Sequence, residues 1–309
     1  MASSRKTVNA TEQRNPRTRG IDLLSTRNIL KKLNREDATV AQVVALELPT
    51  IARAVDAMVR AIHAGGRVIY IGAGTSGRLA ALDVAEVPPT FGVSPRIFQA
   101  AIAGGRRALT GAVEGAEDSV SRGAKDIAAA HVTKRDIVIG LTASGSTPYV
   151  LAALKKARKI GAATIGITSN RRAPIARVAR ILIAPDTGAE AIAGSTRLKG
   201  GTAQKLVLNM LSTATMVRLG RVYDNWMIGV ALTNKKLQRR GVRILEQASG
   251  ANVSEAERVL RQAGHDLCVA LIILKCKTGA AEARLRLKNA HGDLRTALGE
   301  RKTRGGRIR

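Results

Sequence analysis

Short apolar runs alternate with helical patterns along the middle of the chain. Five runs rich in β-branched residues predict buried strands at 68–71, 97–102, 137–141, 164–168 and 181–184. Between and after these runs, apolar residues recur at helical spacing near 76–86, 107–128, 148–160, 172–178 and 198–218. Because strands that alternate with helices form parallel sheets covered on both faces, the pattern predicts an α/β fold with a doubly wound parallel five-stranded sheet.

Helical patterns also flank the predicted sheet. The polar, basic residues 1–20 predict an extended arm, which is followed by a short helix over 25–33. A longer helix is predicted over 37–62, with Pro49 placed to bend or divide it. We divide the chain into an N-terminal arm and short helix (1–36), a sheet domain (37–240), a small helical domain (241–298) and a basic tail (299–309).

The charge of the chain is strongly positive, with 51 Lys and Arg against 23 Asp and Glu and a net charge of +28. Such a surface attracts polyanions and could steer an anionic substrate. Aromatic residues make up only 2% of the chain, which leaves few rings to stack on bases, and no nucleic-acid-binding module is recognisable. We therefore expect a basic, solvated surface and no nucleic-acid partner.

The two cysteines, Cys268 and Cys276, lie in one apolar helical stretch. They are expected to be buried thiols rather than a disulfide or a metal-binding pair. No apolar run approaches the ~20 residues needed to span a bilayer, and the first residues carry no apolar signal segment. We expect a cytoplasmic protein that has no metal site, no cofactor and no membrane partner.

A glycine-rich turn, GAGTSG at 72–77, connects the first predicted strand to a helix. Gly74 lets the backbone approach a ligand closely, and the free N–H groups and dipole of a helix start favour an anion. The hydroxyls of Thr75 and Ser76 can donate to phosphate oxygens. The turn predicts a binding site for the phosphate of a small substrate.

The same turn also matches the G-x-G-x-x-G pattern of dinucleotide-binding sites. Such a site has an acidic residue at the end of its second strand, whereas residues 103–107 contain no carboxylate. The two arginines Arg106 and Arg107 keep an NADP site as an alternative. A purely structural turn is a further alternative.

Two more loops follow strands at the same predicted edge of the sheet, where ligands of open α/β sheets bind. The loop 142–148 is rich in hydroxyls and ends in Pro148, which suits a helix start. One such turn is typical of a helix cap, but two at the ends of two parallel strands favour a phosphate site. The ligands predicted in these loops are Thr142, Ser144, Gly145, Thr147, Glu190, Ser195 and Lys199.

The segments GAGTSGR at 72–78 and TASGSTPYV at 142–150 resemble a sugar isomerase (SIS) domain, which binds phosphosugars. Four further blocks resemble the N-acetylmuramic acid 6-phosphate etherase family, namely 11–16, 82–90, 112–119 and 201–210. The resemblance extends from about Thr11 to Leu298. It implies a fold of the SIS type with an N-terminal helical arm and a small C-terminal helical domain. A regulatory protein of glucokinase shares this architecture, so a non-catalytic phosphosugar-binding regulator is the alternative.

The resemblance implies a lyase of cell-wall sugar recycling that removes the D-lactyl ether from the sugar phosphate. The open-chain aldehyde acidifies the neighbouring C–H, so elimination requires a base and an acid, followed by addition of water. Glu86 matches the family's acid, and its place at a helix end beside apolar residues is expected to raise its pKa. Glu117 matches the family's base. From the residues alone, Glu114, Glu117 and Asp118 are equally compatible with a solvated acidic helix face.

A continuous helix would place Glu86 ~15 Å from Ser76, ten residues earlier. One small sugar cannot reach both residues, so either the helix is interrupted or a second subunit supplies Glu86. We predict a homodimer with composite sites. Three positions depart from the family pattern, which usually has an arginine, a carboxylate and a negative residue where this chain has Ser146, Gly229 and Lys235.

Overall fold

The computed structural model describes residues 10–230, 232 and 234–300. The first nine residues of the predicted arm and residues 301–309 of the predicted basic tail lie outside the described residues. The chain forms two compact units. The first ends at Val84 and resumes over 95–212, and the second comprises Ala85–Ser94 and the chain from Thr213 onwards.

A five-stranded parallel sheet forms the centre of the first unit, as predicted. The strands are β1 (Val68–Gly72), β2 (Phe98–Ile102), β3 (Ile137–Leu141), β4 (Ala163–Ile167) and β5 (Ile181–Ile183), in the order β2-β1-β3-β4-β5. Every residue of β1 and β3 is buried, because helices cover both faces of the sheet. This double burial explains why these strands are continuous apolar runs rather than alternating patterns.

The helices that precede and cover the sheet agree with most of the predicted stretches. Pro49 lies in the first turn of α3, where its missing N–H costs no helical bond, so it divides the predicted long helix. The predicted helix over 172–178 is only a 3-10 turn, Pro174–Arg177. The helices are α1 (Thr26–Asp37), α2 (Val40–Ala45), α3 (Leu48–His63), α4 (Gly74–Phe91), α5 (Arg107–Thr110), α6 (Val120–Ala129), α7 (Pro148–Ile160) and α8 (Lys199–Arg218).

The continuous helix predicted over 107–128 is wrong. The segment contains α5, a 3-10 turn at Ala116–Asp118 and then α6. Gly115 adopts a φ of 66°, which a regular helix cannot contain, and the Ser119 hydroxyl accepts the Arg122 N–H to cap α6. Glu117 therefore lies on a short turn and not on a regular helix face.

Helix α4 extends past its predicted end at residue 86 and reaches Phe91 through the Pro-Pro pair 88–89. Proline has no backbone N–H, so two carbonyl groups in the preceding turn of the helix have no N–H partner. The helix continues because Val87 and Phe91 are buried and the Thr90 hydroxyl donates to the Glu86 carbonyl at 2.7 Å. The chain from Gly74 to Phe91 is thus one uninterrupted helix.

The second unit has its own apolar core, formed mainly by helices after residue 234. Cys268 and Cys276 are free thiols in this unit and are half-buried rather than fully buried. Burial raises the pKa of Cys268 to about 12, so this thiol stays protonated. The elements are β6 (Val222–Tyr223), β7 (Trp226–Met227), α9 (Lys235–Ser249), α10 (Val253–Gln262), α11 (Leu267–Cys276), α12 (Ala280–Asn289) and α13 (Leu294–Ala297).

Across the described ranges, no helix is by itself both long and apolar enough to cross a membrane. The pair Thr26–Ala45 and Leu48–His63 meets these criteria only when its members are counted together across a bend of 61°.

Candidate functional site

The first predicted phosphate loop is a very short connection, because α4 begins at Gly74, directly after β1. The N–H groups of its first turn have no helical acceptors and can bind an anion. A Cβ on Gly77 would lie 2.4 Å from the Ile102 side chain, so only glycine lets the helix start approach β2. Thr75 and Ser76 lie in this first turn and carry hydroxyls. The loop presents both N–H groups and hydroxyls.

The second loop holds its hydroxyls in a hydrogen-bonded network. The Thr142 hydroxyl lies 2.7 Å from that of Thr147 and 3.2 Å from that of Ser144, and it accepts the Gly145 N–H at 3.2 Å. Gly145 has a φ of 73°, and a Cβ there would lie 2.4 Å from the Ala173 Cβ. Glycine is therefore required for this turn. The network fixes three hydroxyls at the end of β3 before a ligand arrives.

The start of α8 packs against both loops at a pair of glycines. A Cβ built on Gly200 would lie 3.4 Å from the Ala143 Cβ, and one built on Gly201 would lie 3.4 Å from the Thr75 methyl group. Larger residues at these positions would therefore press on both loops. The two predicted phosphate loops and the N-terminus of α8 are thus brought together in the first unit.

Glu190 caps α8 from the third loop, which comprises residues 184–198 between β5 and α8. Its carboxylate accepts the N–H groups of Lys199 and Gly200, each at 2.9 Å. Burial raises the pKa of Glu190, and the two N–H groups act against this shift. Ser195 is half-buried in the same loop. The side chain of Glu190 therefore has a structural partner, and the roles of Glu190 and Ser195 in substrate binding remain predictions.

Lys199 is fully buried, and its ammonium donates to the Glu36 carboxylate at 2.8 Å. Glu36 also accepts hydrogen bonds from two nitrogens of the Arg17 guanidinium, Nε and Nη2, and from the Asn15 amide. These partners, Arg17 first, lower the pKa of Glu36 to about 2. Sequence reasoning missed Glu36, although a lysine at a helix N-terminus, where the dipole disfavours a cation, signals a nearby carboxylate. Substrate binding by Lys199 remains a prediction.

The described part of the arm, predicted to be extended, is docked on the third loop. The Asn15 amide donates to the Ala189 carbonyl at 3.1 Å, and the Thr18 hydroxyl donates to the Ala191 carbonyl at 2.8 Å. The arm folds into three 3-10 turns, at Ala10–Glu12, Pro16–Thr18 and Ile21–Leu23. The prediction of an extended arm is corrected here, because these contacts join the arm to the loop before α8.

The turn that carries Glu117 is attached to elements of both phosphate loops. Arg78, in the first turns of α4, donates to the carbonyls of Leu109 at 3.3 Å and Gly111 at 2.7 Å. Ala116 packs against the apolar core that includes α7, which follows the second loop. Glu117 itself is exposed, as are its acidic neighbours. The fold therefore ties this glutamate's segment to the loops without burying its carboxylate.

Glu86 is exposed and lies five residues before the end of α4. The helix end and the apolar burial that the sequence suggested are therefore not found at this residue. Glu86 belongs to the second unit, whereas Glu117 belongs to the first. Their predicted roles as acid and base remain predictions.

The three residues that depart from the family pattern lie in different structural environments. The exposed Ser146 donates to the Ser144 hydroxyl at 3.0 Å and so extends the network of the second loop. A Cβ on Gly229 would lie 2.2 Å from the Phe91 carbonyl oxygen, so a carboxylate-bearing residue there would require a backbone shift. Lys235 is exposed at the first position of α9. Only Ser146 alters a predicted phosphate loop.

Within the described residues, no group of three or more His, Cys, Asp or Glu side chains is arranged to hold a metal ion. The predicted ligands of the three loops are instead hydroxyls, backbone N–H groups and single charged side chains. Such donors are suited to an anionic oxygen-rich ligand rather than to a metal.

Comparison with known proteins identifies the fold. The model of the SIS domain matches residues 118–214, which confirms the SIS type, and that of the glucokinase regulatory protein N-terminal SIS domain matches residues 50–158. A phosphoheptose isomerase structure from Francisella tularensis is 21% identical, covers 63% of this chain and 100% of its own, and has a TM-score of 0.49.

Two relatives carry the same name, N-acetylmuramic acid 6-phosphate etherase. The one from Enterobacter sp. (strain 638) is 50% identical over 287 residues, 93% of this chain and 97% of the relative. The one from Geobacillus thermodenitrificans (strain NG80-2) is 48% identical over 289 residues, 94% of this chain and 98% of the relative. With half its residues shared along almost its whole length, this chain belongs to the N-acetylmuramic acid 6-phosphate etherase family.

Proposed function

We propose that this chain is a carbon–oxygen lyase that cleaves the D-lactyl ether of N-acetylmuramic acid 6-phosphate. The products are N-acetylglucosamine 6-phosphate and D-lactate. The observation that carries the proposal is the 50% identity to an etherase over 93% of the chain. The reaction consumes one water, because elimination of lactate is followed by hydration of the resulting double bond.

The phosphate is held by the two hydroxyl-rich loops. The N–H groups of the first turn of α4 and the hydroxyls of Thr75 and Ser76 supply donors on one side. The ordered hydroxyls of Thr142, Ser144 and Thr147 supply donors on the other side. The packing of α8 against both loops supports a single site, since it brings Thr75 and Ala143 to the same helix turn.

The two glutamates perform the proton transfers. Glu117 removes the proton from the carbon next to the open-chain aldehyde, and the electron pair forms a carbon–carbon double bond as the ether C–O bond breaks. Glu86 donates the proton that the departing lactate oxygen needs. Water then adds its hydroxyl to the former ether carbon, and a proton returns to the neighbouring carbon. Two carboxyl groups in different protonation states therefore complete the cycle without a cofactor.

The site is composite, with Glu86 supplied by a second copy of the chain. Of the two alternatives that the sequence leaves, an interrupted helix does not apply, because α4 is continuous. Exposed apolar side chains in the first unit supply surface that a subunit contact would bury, on α4 at Leu82 and on the adjoining segment at Leu109 and Val113, which are 39–43% exposed. The proposed assembly is a homodimer.

A mixture of two inactive variants tests the composite site. Glu86→Gln and Glu117→Gln each disable their own homodimer, but a mixed dimer contains one site with both glutamates intact. After unfolding and refolding together, the mixture should recover up to about one quarter of the wild-type activity, since about half of random two-fold dimers are mixed and each has one good site. Each variant refolded alone is the control. A mixture as inactive as its components would contradict the composite site.

The alternative function, a non-catalytic phosphosugar-binding regulator, is supported by the match to the glucokinase regulatory protein model over residues 50–158. An assay of D-lactate release from N-acetylmuramic acid 6-phosphate separates the two. We expect stoichiometric D-lactate and N-acetylglucosamine 6-phosphate. Binding of the phosphosugar, seen by calorimetry without any D-lactate, would instead favour the regulator.

The proposed reaction belongs to the recycling of peptidoglycan amino sugars in the cytoplasm. Its product, a phosphorylated amino sugar, is a metabolite that a cell can use directly. The free thiols of Cys268 and Cys276 are compatible with a reducing compartment. The high positive charge favours capture of an anionic substrate and does not by itself call for a nucleic-acid partner.

A further inference from the structure

Gln204 is a buried side chain of α8 to which neither the sequence pattern nor the proposed chemistry gives a role. It is 3% exposed, and its amide nitrogen has no hydrogen-bond partner among the residues that the structure describes. Leaving a buried donor unpaired is costly, and buried polar groups in native proteins are seldom left so. An unpaired donor of this kind requires an explanation.

Gln204 lies on the face of α8 that meets the phosphate loops. Residues three and four apart share a helix face, so Gln204 lies on the face that carries Gly200 and Gly201. That face contacts the second loop at Ala143 and the first loop at Thr75. Two turns further on, Ser212 of the same face donates to Asp83 of α4 at 3.0 Å. Gln204 is thus placed behind the point where both loops meet α8.

The unpaired donor is not isolated. Among the described residues, three buried side-chain polar atoms lack a hydrogen-bond partner, and the other two are the hydroxyls of Thr11 and Thr187. Thr11 lies in the arm, and its carbonyl accepts the Gly194 N–H of the third loop at 3.0 Å. Thr187 precedes Glu190 in the same loop. The unpaired polar atoms therefore gather in the elements around the start of α8.

We infer that the Gln204 amide donates a hydrogen bond to an oxygen of the bound phosphosugar. The inference rests on the proposed function and extends it to a residue outside the loops. An amide NH2 can only donate, so its partner is an acceptor oxygen of the sugar, its acetamido group or its phosphate. The free protein retains an unpaired donor, and the ligand pairs it.

The variant Gln204→Met tests this role, because methionine keeps the volume and removes the donor. If Gln204 binds the ligand, the melting temperature of ligand-free Gln204→Met should equal or exceed that of the wild type, since a buried unpaired donor has been removed. Its affinity for N-acetylglucosamine 6-phosphate should fall about 10- to 100-fold, as expected for loss of one buried hydrogen bond. Differential scanning calorimetry and titration calorimetry measure the two effects.

The exposed Gln42→Met on α2 is the matched control and should change neither quantity. Titration with inorganic phosphate identifies the acceptor: an equal loss of affinity places it on the phosphate, and an unchanged affinity places it on the sugar. Wild-type affinity for the product in Gln204→Met, or a clear drop in its melting temperature without ligand, would overturn the inference. A wild-type protein that releases no D-lactate would instead refute the proposed function.

Discussion

Glu117→Gln is expected to lower kcat by about 10³-fold while the protein remains folded, because an amide cannot accept the proton from the carbon next to the aldehyde. Glu117 is exposed on a short turn, so the substitution removes no buried contact. D-lactate release and the melting temperature measure the two parts of this prediction.

The neighbouring carboxylates supply the control for Glu117. Glu114→Gln and Asp118→Asn remove the same charge from exposed positions of the same segment and should retain kcat within about threefold, because screened surface charges at this distance act weakly. Equal losses in all three variants would show that only the total negative charge matters and would refute a specific base.

Exchange with solvent separates the base from the acid. Glu86→Gln retains the base. In D₂O this variant should therefore replace the proton on the carbon next to the aldehyde with deuterium, without releasing lactate. Glu117→Gln lacks the base and should neither incorporate deuterium nor release lactate. Proton NMR of the recovered substrate measures the exchange. Exchange that persists in Glu117→Gln would assign the proton transfer to another group.

Glu36→Gln is expected to be strongly destabilising although Glu36 lies outside the apolar core. It leaves the ammonium of Lys199, which is 0% exposed, without the carboxylate that it contacts at 2.8 Å. Removing one partner of a buried ion pair costs about 3–5 kcal/mol, which corresponds to a fall in melting temperature of roughly 10 °C in a protein of this size. Calorimetry and urea denaturation measure the loss.

Two further variants test whether the unpaired, buried ammonium of Lys199 causes the loss of stability in Glu36→Gln. The double variant Glu36→Gln with Lys199→Met removes both charges and should recover most of the lost stability. Glu282→Gln breaks an exposed ion pair with Arg286 and should leave the melting temperature unchanged, because solvent screens such a pair. A double variant as unstable as Glu36→Gln would show that the ion pair is not the cause.

The pH dependence gives an independent check on Glu36. Its pKa is about 2 in the folded protein against a reference value of 4.5, so the folded state favours the carboxylate. The resulting stability is present above the unfolded pKa and is lost as the pH falls through the folded one. The difference in unfolding free energy between wild type and Glu36→Gln should therefore narrow between about pH 5 and pH 2. A constant difference over this range would contradict the lowered pKa.

The strands and the two hydroxyl-rich loops were predictable because their signals are local. A strand buried on both faces must be apolar throughout, and Val68–Gly72 and Ile137–Leu141 meet this condition. Gly77 must be glycine because a Cβ would collide with Ile102, and Gly145 must be glycine because of its positive φ and its contact with Ala173. Both glycines are visible in the sequence. The signals that break the helix over 107–128, Gly115 and the Ser119 cap, were present but were outweighed by the apolar spacing.

The remaining contacts at the site could not be predicted because their partners are far apart in the chain. Glu36 lies on α1 and Lys199 on α8, separated by 163 residues. The position of Lys199 at a helix start indicates that a carboxylate lies nearby, but it does not indicate which one. The extension of α4 to Phe91 has a similar cause. Burial of Val87 and Phe91 offsets the bonds lost at the two prolines, and only the folded protein shows that burial. Gln204 lies in the family-like block 201–210, but nothing in that block indicates that its amide nitrogen is buried without a partner.

The docked arm has a consequence for how the protein is made. The arm leaves the ribosome before the third loop, because Asn15 and Thr18 find their carbonyl partners 174 and 173 residues later. At translation rates of about 5–20 residues per second, the arm must wait roughly ten seconds or more for those partners to be synthesised. The arm therefore docks only after the third loop has been made, and a nascent chain halted before Ala189 would leave Asn15 and Thr18 exposed to chaperones and proteases.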